Sequence, residues 1–424
     1  MRFLISAGEA SGDTYGAGLI TALRRRRPDA DFFGVAGQHM VEAGCDPVVH
    51  AHDVTVLGLA EVVSHLPRIW GKFRELLRAA DERRPDAAIL IDFPDFNLRL
   101  AKQLHRRGIP VIYYVSPQVW AWRRGRVEQI RRYVRKMLVI FPFEADFYRG
   151  HRIDAEFVGH PLADLAAPAI SREDFADEYG LSPSKKWIAL LPGSRRKEVD
   201  LNLGPLLETA DLVSQPEINP LDPTSPPRVS AEKNFEWLIP LASTLEKAGG
   251  AVPGAKFSSG TGGAQITITR DARATLLHSR AAVVASGTAT VEAALIGTPF
   301  CMVYRVSSLS WFAGRWMVDI PHFAMPNLIY TDWRPGAPAG TRAVKEFVQN
   351  DFNAANVAEE LEKLIPDGPD RRRVIDALAA IRAKLQSGSV PGMTASDRAA
   401  DAVLKAMANG KWQMAKGVQS NEGV

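Results

Sequence analysis

Cysteine is scarce in this sequence: Cys45 and Cys301 are the two in 424 residues. They stand far apart and match no metal-ligand spacing, which excludes a disulfide framework and points to reduced core residues in a cytosolic protein. Long uncharged apolar runs are also missing, since nothing reaches the roughly 18 residues that a membrane span needs. The nearest approach, Val54–Trp70, carries Glu61, His65 and Arg68. It reads either as a half-buried helix or as a surface that admits acyl chains. MRFLISAGEASGD has neither the basic region nor the small-residue cleavage site of a secretory signal. No charge sign dominates: 52 Lys and Arg against 48 Asp and Glu give +4, with a pI near 9.0. That is too little to argue for nucleic acid. The basic residues do bunch in Arg24–Arg27 and in Arg123–Lys136, which reads as a solvated helix face or as a patch for anionic lipid or phosphate.

What the chain does have is length. At 424 residues it exceeds one ordinary core, so two domains of roughly 150 to 200 residues are expected. Apolar strands alternate with stretches of helical period. RFLIS (2–6) precedes a helix predicted through Ala17–Arg26, and DFFGVAG, AAILID, VIYYVSP, KMLVIFP and AEFVGHP follow. The pattern breaks around Leu162–Pro183 and restarts with KWIALLPGSR, FEWLIPL, QITIT, AAVVASGT and PFCMVYR. Strand and helix in alternation mean right-handed crossovers and parallel sheets covered on both faces, with ligand sites at the carboxyl ends of strands. The expected architecture is therefore α/β, with two doubly wound domains at 1–165 and 184–385, a helix at 390–408 returning to the first, and a polar tail at 409–424. Gln215–Ala231, with five prolines within twelve residues, reads as a surface loop. Gly249–Gly263 and WRPGAPAGTR (333–342) look similarly irregular.

Four stretches could carry chemistry. In IDFPDFN (91–97), a fully apolar strand runs into Asp92 and Asp95, where either aspartate faces a ligand or caps the next helix. GEASGD (8–13) follows the first strand and opens a helix. Its small residues let amides approach a ligand, and Ser11 or Asp13 is a candidate cap. It is neither a Walker loop nor a dinucleotide fingerprint. LPGSRRKEV (191–199) repeats that arrangement in the second domain. Gly193 and Ser194 free the turn, while Arg195 and Arg196 offer cations to phosphate or pair with neighbours such as Glu198. ASGTATVEAALIGTP (285–299) places Ser286, Gly287 and Thr288 at a third strand-to-helix turn, with Glu292 as a candidate ribose acid. Together these describe a sugar-nucleotide glycosyltransferase, with the donor in the second half and the acceptor in the first.

With VAGxxMxxAGC (35–45), YYVSPQVWAWRRGR (113–126), FPFE (141–144), FVGHP (157–161) and MPNLI (325–329), these motifs strongly resemble the family of lipid-A-disaccharide synthases. The resemblance implies a GT-B enzyme of two Rossmann-like domains facing a cleft, inverting and independent of metal or other cofactor. Such enzymes join UDP-2,3-diacylglucosamine to 2,3-diacylglucosamine 1-phosphate and release UDP and the β-1,6 disaccharide. The likeness maps Asp92 onto the important aspartate of its motif and Arg195 onto the arginine at the UDP phosphates. Inversion needs a base for the acceptor's 6-hydroxyl, a role that suits Asp92. Gly193, Ser194, Ser286, Gly287, Thr288, Glu292, Asn327 and Gln349 fall on the nucleotide side. Glu9, Ser11, Asp13, Asp95, Asn97 and His160 fall on the acceptor side, where His160 is equally well a satisfied buried histidine. Val119, Trp120 and Trp122 read as packing in preference to sugar stacking.

Lipid substrates imply a peripheral protein on the cytoplasmic face of the inner membrane, docked through Val54–Trp70 and the basic helix. A last helix that crosses back would allow segments to swap in a homodimer. Gln215–Ala231, Gly249–Gly263 and WRPGAPAGTR depart from the family pattern. Rival readings are a related sugar-nucleotide enzyme, such as a UDP-N-acetylglucosamine epimerase or a lipid-linked transferase, and a binding homologue without turnover.

Overall fold

The computed structural model describes residues 1–54, 59–121, 125–215, 235–241, 252–259, 263–307, 311–312, 320–334, 340–387 and 392–408, with only the backbone course of 59–66. Two compact units result. One is Met1–Asp164 with the segment from Leu385, and the other is Leu165–Lys384.

The first unit is built on seven parallel strands: β1 Arg2–Ala7, β2 Asp31–Ala36, β3 Asp46–His50, β4 Ala87–Ile91, β5 Val111–Tyr114, β6 Lys136–Val139 and β7 Ala155–Phe157. Their order is β3-β2-β1-β4-β5-β6-β7. All five residues of β4 are buried, as a strand covered on both faces requires. The order reverses direction between β1 and β4, and a doubly wound sheet opens a crevice for ligands at that point.

The second unit repeats the plan with β8 Lys186–Leu191, β9 Phe235–Pro240, β10 Lys256–Ser258, β11 Gln265–Thr269, β12 Ala281–Ala285, β13 Phe300–Tyr304 and β14 Glu346–Val348. The order is β10-β11-β9-β8-β12-β13-β14, with β10 antiparallel to β11, so the reversal falls between β8 and β12. The helix Arg172–Tyr179 buries Phe175 and Tyr179 against Trp187 and Leu238. The boundary between the units, Asp164 to Leu165, falls within the expected break at Leu162–Pro183. That stretch holds a 3-10 turn, Pro161–Asp164, and then a helix of the second unit, capped by Ser171, whose hydroxyl accepts from the Asp174 amide at 3.0 Å.

Three strands escape the sequence pattern: β3, β10 and β14. Each is a sheet edge. An edge strand is covered on fewer sides, so it lacks the continuous apolar run that marks a central strand. β3 contains Pro47 and β10 is wholly exposed. Gly249–Gly263 is accordingly not irregular throughout, because Lys256–Ser258 pairs with Gln265–Thr267. Residues 216–231 of the proline-rich stretch, 335–339 of WRPGAPAGTR, and the tail 409–424 lie outside the described residues.

The helix predicted from Ala17 starts at Ala10, directly after β1. Against it packs the late helix Ala395–Ala408. Arg25 and Arg26 each donate to Asp397 at 2.8 Å, Arg26 also pairs with Asp401, and Arg398 reaches the Val158 carbonyl at 2.8 Å. Burial pushes the Asp397 carboxyl up, but hydrogen bonds from Arg26 and Thr394 outweigh it and bring the group down to about 2.

Candidate active site

In the first unit the carboxyl ends of β1 and β4 meet at the switch point. Gly8 lies against the Phe93 ring so closely that a Cβ there would overlap it. Asp92 and Phe93 are consecutive non-glycine residues with left-handed backbone, φ 44° and 50°. Such residues cost of order 1 to 3 kcal/mol each and persist only where surroundings dictate them. The surroundings here are Asn97 and Tyr113, whose side chains donate to the Asp92 carbonyl at 2.9 and 2.5 Å. The half-buried Asp92 therefore leaves the strand along a fixed trajectory.

Asn97 is fully buried. Its amide also donates to the Ile91 and Ser6 carbonyls at 3.1 and 3.3 Å, and its carbonyl accepts from Ser6 at 2.7 Å. It shapes the Asp92 loop, and with both amide hydrogens engaged and the side chain fully buried it does not meet an acceptor. Neither aspartate of IDFPDFN caps the helix Pro94–Arg106, which has no side-chain cap bond and begins with Pro94. Asp95 pairs instead with Arg126.

Two expectations for GEASGD need correction. The cap position of Ala10–Arg26 is Glu9, which makes no side-chain cap bond to the helix, so neither Ser11 nor Asp13 caps that helix. Asp13 is buried. It accepts from the amides of Gly37, His39 and Met40 at 2.9 to 3.1 Å, holding the turn after β2 instead of facing an acceptor. Glu9 and Ser11 remain half-buried at the end of β1. His160 is buried beside Tyr15 and Phe141, and burial pushes it down to about 3, so it is neutral. Its Nδ1 accepts from the Leu162 amide at 3.2 Å, which assigns the proton to Nε2.

Beneath Trp120 lies a carboxyl that the sequence reading left without a role. Glu144, of the FPFE motif, is buried and accepts from the Trp120 indole at 3.0 Å and the Phe141 amide at 3.1 Å. Burial pushes it up to about 8, despite these bonds. Trp120 is thus packing, while Trp122 and Arg123 lie outside the described residues.

In the second unit two loops issue from the adjacent strands β8 and β12. Gly193 has φ 129°, and Ser194 and Arg195 are exposed. Glu198 accepts from the Ser194 and Arg195 amides at 3.1 and 3.3 Å and lies 3.6 Å from the Arg195 guanidinium. At the second loop Gly287 has φ 140°, and a Cβ there would meet nothing. Gly287 and Thr288 are exposed at the start of the helix Thr288–Ile296, an amide-rich helix end suited to an anion. Ser286 donates to the Phe323 carbonyl at 3.1 Å. Glu292, half-buried one turn on, is raised above the usual carboxylate range by burial, partly offset by Arg273.

Asn327 does not face a ligand. It is fully buried, donates to the Val344 carbonyl and to Glu346 at 3.0 and 2.6 Å, and accepts from the Ala343 and Val344 amides at 2.8 and 3.0 Å. All four of its hydrogen-bonding positions are used. Glu346, which the sequence reading did not single out, also takes the Phe323 and Ala324 amides and so ties this clamp to the loop that Ser286 touches. Gln349 sits at the end of β14 with φ 55°, and its buried Nε2 has no hydrogen-bond partner among the described residues. Among those residues no group of three or more His, Cys, Asp or Glu is placed to hold a metal ion.

Among solved structures, the kitacinnamycin glycotransferase matches with a TM-score of 0.59 at 14% identity, covering 96% of this chain and 98% of its own. The UDP-GlcNAc 2-epimerase of Neisseria meningitidis, bound to UDP-GlcNAc, matches at 0.57 with 11% identity, covering 96% of this chain and 100% of its own. These likenesses establish the two-domain GT-B fold. Sequence relatives are much nearer. The lipid-A-disaccharide synthase of Koribacter versatilis is 53% identical over 405 residues, 95% of this chain and 98% of the relative, and that of Acidobacterium capsulatum is 47% identical over 406, 94% of each. The family model described as lipid-A-disaccharide synthetase matches residues 3–391, running on through the stretches that the motifs left out. By that span and those relatives, the chain belongs to the lipid-A-disaccharide synthetase family, a family of glycosyltransferases.

Proposed function

We propose that the protein transfers the sugar of UDP-2,3-diacylglucosamine to the 6-hydroxyl of 2,3-diacylglucosamine 1-phosphate with inversion. The observation that carries this reading is that Asp92 and Arg195, the two residues the family motifs single out, each stand at the switch point of their own sheet. Asp92 takes the proton of the acceptor hydroxyl as its oxygen bonds to the donor's anomeric carbon. The bond from that carbon to the diphosphate breaks, and the electron pair leaves with UDP. Arg195 and the amides around Gly287 meet the charge that develops on the diphosphate, which stabilises the transition state more than the ground state. Gln349, with a buried donor unspent, is the further nucleotide contact that the resemblance implies.

Acyl substrates favour peripheral docking on the cytoplasmic side of the inner membrane. Supporting it, Trp70 is 51% exposed on the helix Leu59–Arg83, with the Arg74 cation over its ring. An aromatic side chain beside a cation suits a membrane interface. No helix among the described residues is long and apolar enough to cross a membrane.

Purified protein given both substrates is expected to release UDP and a disaccharide 1-phosphate whose mass is that of the two substrates less UDP, read by mass spectrometry. Release of UDP without the acceptor, or conversion of the donor sugar alone, would overturn the reading in favour of a hydrolase or an epimerase.

A further inference from the structure

Glu198 stands where a ligand's anion is expected. From the first turn of the helix Arg196–Ser214 it accepts the amides of Ser194 and Arg195, and it lies beside the Arg195 guanidinium. A Cβ on Gly193 would collide with it, so the loop is wrapped round this side chain. One turn on, the buried Asn202 donates to the Pro192 carbonyl at 2.8 Å and holds the other end of the loop without help from Glu198. The neighbouring loop at Gly287 is built differently, with open space above its glycine and no acid in the first turn of its helix.

We propose that Glu198 is an internal stand-in for the donor's diphosphate: it occupies the Gly193–Arg195 loop while the donor is absent and is displaced when the diphosphate arrives. This rests on the reading of that loop as a diphosphate site. Two anions cannot share two amides and one guanidinium without repulsion. The contacts are long, and the side chains of Arg195 and Glu198 are 59% and 35% exposed, so the internal pair is weakly held. A diphosphate carries more charge and more acceptor oxygens, and it wins the exchange. Asn202 and the buried strand β8 keep the loop in shape when Glu198 leaves. The charge on Glu198 thereby sets donor affinity, which is held below what the loop would otherwise give and eases release of UDP.

The test is calorimetric titration of the full chain, Glu198→Gln and Arg195→Ala with UDP, inorganic diphosphate and uridine, after checking that the unfolding midpoint of the half-buried, isosteric Glu198→Gln is close to that of the parent. Glu198→Gln is expected to bind UDP and diphosphate about two- to fivefold more tightly, the range an exposed charge pair commands, with uridine unchanged. Unchanged or weaker binding of UDP by Glu198→Gln, while Arg195→Ala loses affinity, would overturn the proposal and make Glu198 a fixed cap. Equal tightening of uridine would overturn it too. If Arg195→Ala bound UDP like the parent, the loop would not be a diphosphate site, and the reading beneath the proposal would fail with it.

Discussion

At the switch point of the first sheet Asn97, Tyr113 and Ser6 are spent inside the fold, whereas at that of the second Ser194, Arg195 and Thr288 face solvent. Asn97, Tyr113 and Ser6 are consumed in holding one left-handed turn, so that Asp92 emerges in a fixed direction. Around β8 and β12, Ser194, Arg195, Gly287 and Thr288 are exposed, and the buried clamp of Asn327 and Glu346 lies further back. The difference follows from the chemistry proposed for each end. A base must be aimed within tenths of an ångström and one side chain suffices, while a diphosphate spreads its charge over many oxygens and is met by several donors.

Breaking the comparison at its sharpest point means Asp92→Asn. Turnover is expected to fall by about a thousandfold, within the range for a lost general base, with UDP affinity unaltered by calorimetry. Intact turnover would move the base elsewhere. Arg195→Ala is expected to cost about a hundredfold in kcat/KM and to weaken UDP, because one of several phosphate donors is lost. A side-by-side measurement of Asn97→Ala and Asn327→Ala sharpens the contrast. Each should cost about 2 to 3 kcal/mol in denaturant unfolding by orphaning buried groups, but only Asn97→Ala should also lower kcat with UDP affinity kept.

A further effect, on stability and not on turnover, lies in pH. Burial raises Glu144 to about 8, so the folded chain keeps a proton that the unfolded chain releases above about 4.3. The contribution of this group is full below that pH and is lost as pH rises towards 8. Relative to Glu144→Gln, the parent should therefore lose about 1 kcal/mol per pH unit between pH 5 and 8, read as the difference of two unfolding curves. His160, lowered to about 3, acts in the opposite sense, losing stability as pH falls below about 6.5.

Much of this was legible in the sequence. Central strands announce themselves by apolar runs, and the glycine-rich turns that follow them mark where backbone amides are accessible. What was misread shares a cause. Asp13, Asn97 and Asn327 lie in family motifs and carry polar groups, so they pass for ligand contacts. Most of their partners are backbone amides and carbonyls, up to 91 residues away, which no local pattern reveals. Three of the four edge strands, β3, β10 and β14, were missed because their burial is supplied by one neighbour and not two.

By itself the sequence determined the α/β plan, the family and the few side chains that can do acid, base or phosphate chemistry, because strand periodicity and residue type are local properties. Only the tertiary structure decided which of those side chains are spent. Hydrogen-bonding capacity is finite, and whether a buried amide or carboxylate has any to spare depends on the chain brought against it in space.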